Sequence, residues 1–370
     1  MSRARENANI SPAAGRNMVI NSAMNVAQRA TSVAGLGAAA GYFTVDRWRV
    51  IGANTAGRFT MSQTADGPNG ISANCIKLDC TTADTSIASN ELLTIRQTIE
   101  GQNLQRIGKG TAGAKQITFS FYVKANAAFT FGVEVYDADN NRQITKLFTT
   151  STGWVRHEIT FPADTSGTLG DDNAGSLIIQ FWLHAGSNYT SGTLNSTSWA
   201  NATTANRAGG IGSFYSSTDN NFFITGAQME VGPVATELEQ EDFGVTLAKC
   251  KRYFQRLEWD NGSMNVALQE TVSAGTYNVS YTTKRANPTV TLPTPTVSNN
   301  QANGISLLQS GGAYRSSSGN EAIAADRQSK DSTRIRLSGF ANSGAVGDAT
   351  WVYYQTNGSI DPYIDFDAEL

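Results

Sequence analysis

The feature that most constrains this chain is a two-residue alternation of apolar and polar side chains, repeated along most of residues 17 to 240. Over 117–123, Ile117, Phe119, Phe121 and Val123 share one side, with Thr118, Ser120 and Tyr122 on the other. Over 129–135, Phe129, Phe131, Val133 and Val135 line up against Thr130 and Glu134. Val155, Ile159 and Phe161 share a side with His157, and Leu177, Ile179, Phe181 and Leu183 repeat the pattern. A period of two places successive side chains on opposite faces of an extended strand, so each segment has one core face and one wet face. That is the signature of antiparallel sheets packed as a sandwich. No long amphipathic helices lie between these strands, which excludes a parallel α/β sheet.

Composition fits many short strands joined by tight turns. Of 370 residues, 35 are Gly and 8 are Pro, and charged residues make up 16%, against about a quarter in an average soluble domain. The formal net charge is −3, with a sequence pI near 5.5, so the electrostatic footprint of a nucleic-acid binder is missing and no nucleic-acid partner is expected. No apolar run approaches the roughly 20 residues that span a bilayer, so membrane insertion is not expected. Met1 to Arg5 lack an apolar signal core, and no export by a signal peptide is expected. Cys75, Cys80 and Cys250 are odd in number and lack metal-ligand spacing. Cys75 and Cys80 lie five apart on an extended segment, hence on opposite faces, so all three are read as reduced core residues. Reduced thiols suit assembly in a bacterial cytoplasm.

The chain divides into four stretches. Residues 1–16 are a polar arm that either orders on a partner or frays. Residues 17–242 form the β-sandwich. Within them 185–221 is a Gly/Ser/Thr/Asn-rich run punctuated by Tyr189, Trp199 and Tyr215, long enough to be a functional or interface loop. Its Asn188-Tyr189-Thr190 and Asn201-Ala202-Thr203 triplets follow from composition and are not read as glycosylation sites. Over 243–257 the period changes: Phe243, Leu247, Cys250, Phe254 and Leu257 make a helical stripe, preceded by Glu237, Glu239, Glu241 and Asp242 where a helix dipole favours negative charge. This linking helix either packs on the sandwich or forms a three-fold seam between subunits. Residues 258–370 return to short strands, around Tyr277, Val279, Tyr281, Ile335, Leu337, Trp351 and Tyr353, and read as a smaller C-terminal β domain.

Several strings are familiar as well as patterned. Asn17 to Thr31, followed by Asp46-Arg47-Trp48, resembles the opening of a family of phage tail-fibre and virion structural proteins. Arg96 to Asn103 matches that family's Gln-x-Ile-Glu-Gly segment, Ile117 to Val123 its first long strand, and Asp164 to Gly167 the turn after it. Phe223 to Thr236, continuing into Cys250 to Phe254, is similar to its Thr-Gly-x-Gln-Leu-Glu-Val-Gly strand and Cys-x-Arg-Tyr helix, and Phe366 to Leu370 to its ending. The resemblance covers about 17 to 257. It implies a jelly-roll sandwich similar to carbohydrate-binding modules, carried on a virion and often trimeric, without a defined catalytic centre. The fold class is therefore expected to be all-β: a jelly-roll β-sandwich, a short linking helix and a smaller C-terminal β domain. Trp48 is expected as a core anchor with its ring nitrogen bonded, and Glu100 and Glu230 as carboxylates holding donors where strand meets turn.

The expected ligand site is a set of wet-face residues. Trp182, Tyr122 and Tyr136 would form a stacking platform if their strands are neighbours, with Gln180, His184 and Glu134 bonding sugar hydroxyls. The competing reading is that a loop, the C-terminal domain or another subunit covers this face. His157 is expected to be a hydrogen-bonded core histidine. Asp137, Asp139 and Asn141 resemble half a calcium loop but lack its Gly and distal Glu, so a turn is favoured over a weak calcium site, and no metal or cofactor is expected. Glycoside cleavage needs two carboxylates about 5 to 9.5 Å apart. Asp171-Asp172 and the 237–242 cluster do not suggest such a pair, and no nucleophile elbow or phosphate loop is evident. The expected function is a non-enzymatic phage tail-fibre or tail-tip adhesin in the virion, a homotrimer contacting other tail proteins and a host surface glycan. Two alternatives stand beside it: a purely structural virion component (head fibre, decoration or tail adaptor), and a capsule depolymerase.

Overall fold

The computed structural model describes residues 15–260, 263–292, 304–308, 317–340, 345–355 and 363–370. They form two compact units, residues 1–247 with Leu370, and residues 248–369. The expected arm over 1–16 lies outside the described residues except for its last two positions.

The first unit is an antiparallel jelly-roll sandwich. Its strands are β1 (Ser32–Leu36), β2 (Ala40–Tyr42), β3 (Arg49–Ala53), β4 (Arg58–Thr64), β5 (Cys75–Thr82), β6 (Leu92–Glu100), β7 (Ile117–Ala125), β8 (Thr130–Asp137), β9 (Arg142–Thr149), β10 (Val155–Phe161), β11 (Gly175–Ala185), β12 (Ala200–Asn201) and β13 (Asn221–Val231). One sheet has the order β1-β4-β5-β13-β7-β10 and the other β12-β9-β8-β11-β6-β3-β2. The chain passes repeatedly from one sheet to the other, as at β6 to β7 and β7 to β8. The alternating apolar faces meet between the sheets. Phe181 of one sheet lies 5.0 Å from Phe121 and 5.8 Å from Phe119 of the other, and Phe131 meets Phe222 at 5.7 Å. Each such fully buried ring contributes about 1.5–3 kcal/mol.

The familiar sequence strings prove to be braces of this sandwich. Asn21, in the left-handed region at φ 56, donates to the carbonyls of Val26 and Asp46 at 2.9 and 3.0 Å. Trp48 is fully buried and its Nε1 donates to the Asn21 carbonyl at 3.4 Å. In β13 the register shifts between Thr225 and Gln228, with Gly226 at φ 61. A side chain there would meet the Tyr122 ring at 2.8 Å, so the motif glycine marks a β-bulge. Glu230 closes the following turn by accepting from the Thr236 amide at 2.9 Å and its hydroxyl at 2.8 Å. All three cysteines are buried and none is in a disulfide.

Two features differ from expectation. The helix is shorter than 243–257: α2 runs Phe243–Lys251, and Phe254–Glu258 is a strand, β14. The apolar stripe at Phe254 and Leu257 belongs to that strand, where Arg256 pairs with Asp365 through two bonds of 2.7 Å. Phe243, at the helix start, is exposed. The long 185–221 run is mostly irregular, with one α-helical turn, α1 (Ser187–Thr190), the short β12, and 3-10 turns at Thr204–Asn206 and Phe214–Ser216. Lastly, β7 and β8 do not neighbour each other, with consequences for the site described below.

The second unit holds β14 with β22 (Tyr363–Asp367) and β17 (Thr289–Thr291) in one small sheet. The other sheet has β15 (Met264–Thr271), β16 (Ala274–Ser280), β18 (Gly304–Leu308), β19 (Ser317–Asp326), β20 (Ser332–Phe340) and β21 (Ala349–Gln355). Tyr277, Val279, Tyr281, Ile335, Leu337, Val352, Ile364 and Phe366 form its core. On β15 the alternation is inverted: Met264, Val266 and Leu268 are exposed, as is Trp351, the register partner of Val266. The Tyr353 side chain lies outside the described residues.

Candidate functional site

The structure corrects the expected aromatic platform. Tyr122 lies on β7 in the six-stranded sheet, whereas Glu134, Tyr136, Gln180, Trp182 and His184 lie on β8 and β11 in the seven-stranded sheet. Wet faces of opposite sheets point in opposite directions, so Tyr122 cannot join Trp182 and Tyr136. It sits instead under Arg156, whose guanidinium carbon is 5.9 Å from its ring.

Four of the remaining five are also not open to a ligand. Glu134, Gln180, Trp182 and His184 are buried, although they occupy the outer parity of their strands. The cover is the 186–212 segment, which folds back over this end of the sheet. Its anchor is Arg207, donating to Glu134 through Nε at 2.8 Å and Nη2 at 2.9 Å. Glu134 also accepts from Trp182 Nε1 at 2.8 Å and from Gln180. Tyr189 lies against Trp182 at 5.3 Å, and the Arg207 guanidinium covers the Trp182 and Tyr136 rings at 5.3 and 4.9 Å. Burial alone would lower the Arg207 pKa, but the Glu134 carboxylate outweighs it and raises the guanidinium above its ordinary value.

His184 is fully enclosed between Ser213 Oγ at 2.8 Å and Glu91 Oε2 at 3.0 Å. Burial depresses its pKa despite the Glu91 carboxylate. Half-buried His157, packed between Phe121 and Phe148 with a 3.0 Å contact to the Thr149 carbonyl, is depressed for the same leading reason. These are the only two histidines. Below about pH 6.5 the unfolded chain protonates them while the folded chain resists, so stability is full above that value and falls as pH drops. The expected loss by pH 5.5 is up to about 1 kcal/mol per histidine. Urea midpoints at pH 7.5, 6.5 and 5.5 measure it; a flat profile contradicts it.

The Asp137–Asn141 turn is organised by an ion pair inside the protein. Lys109 Nζ, buried, donates to Asp137 and to the carbonyls of Ser166 and Gly167 at 2.9 and 3.0 Å, and lies 3.0 Å from Asp164 Oδ2. Arg142 binds Asp164 through Nε at 2.8 Å and Nη2 at 2.9 Å. Burial pushes the Asp164 carboxyl up, yet the hydrogen bonds from Arg142 and Lys109 hold it below the ordinary range. Asp139 accepts from the Gly170 amide at 2.9 Å. The ammonium of Lys109 thus occupies the centre of this oxygen cluster.

What the seven-stranded sheet leaves half-open lies beside the covered end. The outer-face register reads Glu134–Gln180–Arg96–Arg49–Tyr42 across β8, β11, β6, β3 and β2. Arg96, Arg49, Tyr42 and Tyr136 are each half-buried. Tyr42 and Tyr136 stand four strand spacings apart, about 19 Å. Arg29 and Arg49 lie over the Tyr42 ring at 5.3 and 5.8 Å. Sequence reading missed Arg49, Arg96, Arg207 and Tyr42. The usable signal was parity: Arg49 alternates with buried Trp48 and Val50, and Arg96 with buried Ile95 and Gln97.

No family model matches the chain, and no curated protein matches it. Among solved structures it is similar to a family 4 carbohydrate-binding module (10% identity, 57% of this chain and 97% of that one, TM-score 0.29). It is also similar to a family 61 module in complex with β-1,4-galactotriose (12%, 58% and 99%, TM-score 0.30). A third is the C-terminal family 22 module of Clostridium thermocellum Xyn10B (12%, 61% and 100%, TM-score 0.31).

Proposed function

We propose that this chain is an adhesive structural protein of a phage virion, a tail fibre or tail-tip component. In this reading it binds a host surface polysaccharide through the outer face of the seven-stranded sheet and does not cleave it. The observation that carries the binding is the half-open row of Arg96, Arg49 and Tyr42, with Tyr136 at the other side. Half-buried tyrosines and directional N–H donors fixed on a sheet suit sugar rings and their hydroxyls. The virion setting rests on the sequence resemblance over 17 to 257. The non-catalytic part is supported by how the sandwich uses four of the eight carboxylates buried among its described residues: Glu134, Asp137, Asp164 and Glu91 are bound by Arg207, Lys109, Arg142 and His184.

A second reading, a purely structural virion component, is favoured by the exposed apolar row Met264, Val266, Leu268 and Trp351. Contiguous apolar surface of this kind marks association sites. We assign it to a second copy of the chain, within the homotrimer the resemblance implies. Both readings are tested by incubating the full chain with a panel of bacterial cells and their extracted surface polysaccharides, following bound protein and released reducing ends together. Saturable binding without release is expected. Failure of the folded chain to bind any of them leaves the structural reading, and release of reducing ends makes the chain a depolymerase.

A further inference from the structure

At the centre of the half-open face, Arg96 has an arrangement that protein groups alone do not explain. Its side chain makes no hydrogen bond or ion pair among the described residues, and its Nε is buried without an acceptor. Its register neighbour on one side is another arginine, Arg49, with Cβ atoms about 5 Å apart. On the other side is Gln180, committed to Glu134. The nearest carboxylate of the row, Glu134, is already satisfied by Arg207, Trp182 and Gln180. Burial lowers the Arg96 pKa, and the charges of Arg49 and Arg207 lower it further, opposed only by Tyr42. Like charges opposite one another on a sheet destabilise it, and a half-buried charged donor without an acceptor is costly. Such groups in a native fold call for an explanation outside the protein's own hydrogen bonds. The same edge already shows a preference for oxygen ligands: an oxygen of Leu370 accepts from Tyr42 Oη at 2.7 Å and from Arg49 Nη1 at 3.3 Å.

We propose that Arg96, supported by Arg49, binds the carboxylate of an acidic sugar, so that the ligand of this face is a uronate-type polysaccharide. The inference rests on the glycan-binding reading and narrows it. A planar guanidinium pairs with a carboxylate through two parallel N–H bonds, which a hydroxyl cannot match. Tyr42 and Tyr136 then flank the anionic residue and contact its neighbours along the chain.

The experiment measures binding of the full chain to polygalacturonate, alginate and hyaluronan, each beside its carboxyl-reduced form. Wild type is expected to bind at least one acidic polymer about tenfold to a hundredfold tighter than its reduced form, with affinity falling as salt rises. R96Q is expected to lose that preference while its weaker binding to the reduced form persists. Because the substitution removes an unpaired charge beside Arg49, R96Q is also expected to melt at the same temperature as wild type or higher. Equal binding of acidic and reduced polymers overturns this inference and leaves glycan binding intact; binding of neither overturns both. A marked fall in the melting temperature of R96Q makes Arg96 a structural residue and overturns the proposal independently of any ligand.

Discussion

Replacing Lys109 with methionine is expected to cost about 3–5 kcal/mol of folding stability, the range for breaking a buried ion pair from one side. The methionine retains most of the side-chain volume but returns none of its bonds. Asp137, fully buried, loses its cation, and the carbonyls of Ser166 and Gly167 lose their donor. Asp164 keeps Arg142, so the effect falls mainly on Asp137. The double replacement Lys109→Met with Asp137→Leu is expected to recover much of the loss, because removing both partners leaves no buried charge on that side. Urea denaturation of the wild type and the two variants measures this. A Lys109→Met cost under about 1 kcal/mol places the pair among weak surface contacts and contradicts the account.

Glu134→Ala carries the second large effect, again about 3–5 kcal/mol. One carboxylate holds Arg207, Trp182 and Gln180, so its loss leaves two neutral donors and a guanidinium without their acceptor. The consequence is local as well as global. The 186–212 segment is fixed to the sheet through Arg207, so its amides are expected to exchange faster in hydrogen–deuterium exchange, with the core strands β7 and β13 changing only as global stability falls. Unchanged exchange in that segment means the cover is held by other bonds, such as Gly212 amide to Thr130 carbonyl at 2.7 Å. Opening the cover also bares Trp182 beside Tyr136, two of the three rings of the expected platform, while Tyr122 stays on the other sheet.

How far the sequence can be read here depends on which physical signal each feature leaves in it. Alternation is local, and it gives the core side of β7, β8 and β11 correctly: Phe119, Phe121, Phe131, Val133, Ile179 and Phe181 are all buried. Sheet membership is not local. Nothing in Ile117–Val123 or Phe129–Val135 says that the short connection between them crosses from one sheet to the other, and Tyr122 was grouped wrongly for that reason. The outer parity of Glu134, Gln180, Trp182 and His184 was right, but parity does not tell wet from covered. The cover comes from a segment whose key residue, Arg207, is isolated in a Gly/Asn/Thr-rich run. The helix end was misread because Phe254 and Leu257 fit both a helical stripe and the strand β14. The braces at Trp48 and Glu230 were more legible, since buried rings and carboxylates at turns have few ways of being satisfied.

The central claim is that ligand binds the outer face of the seven-stranded sheet, and side-chain footprinting by hydroxyl radicals tests it most directly. With a polysaccharide bound at saturation, Tyr42 and Tyr136 are expected to be protected, while Tyr122 on the six-stranded sheet, Trp154 in the connection just before β10, and Trp351 in the second unit react as in the unbound chain. Protection of Tyr122, Trp154 or Trp351 with Tyr42 and Tyr136 unchanged would place the binding surface elsewhere and contradict the account.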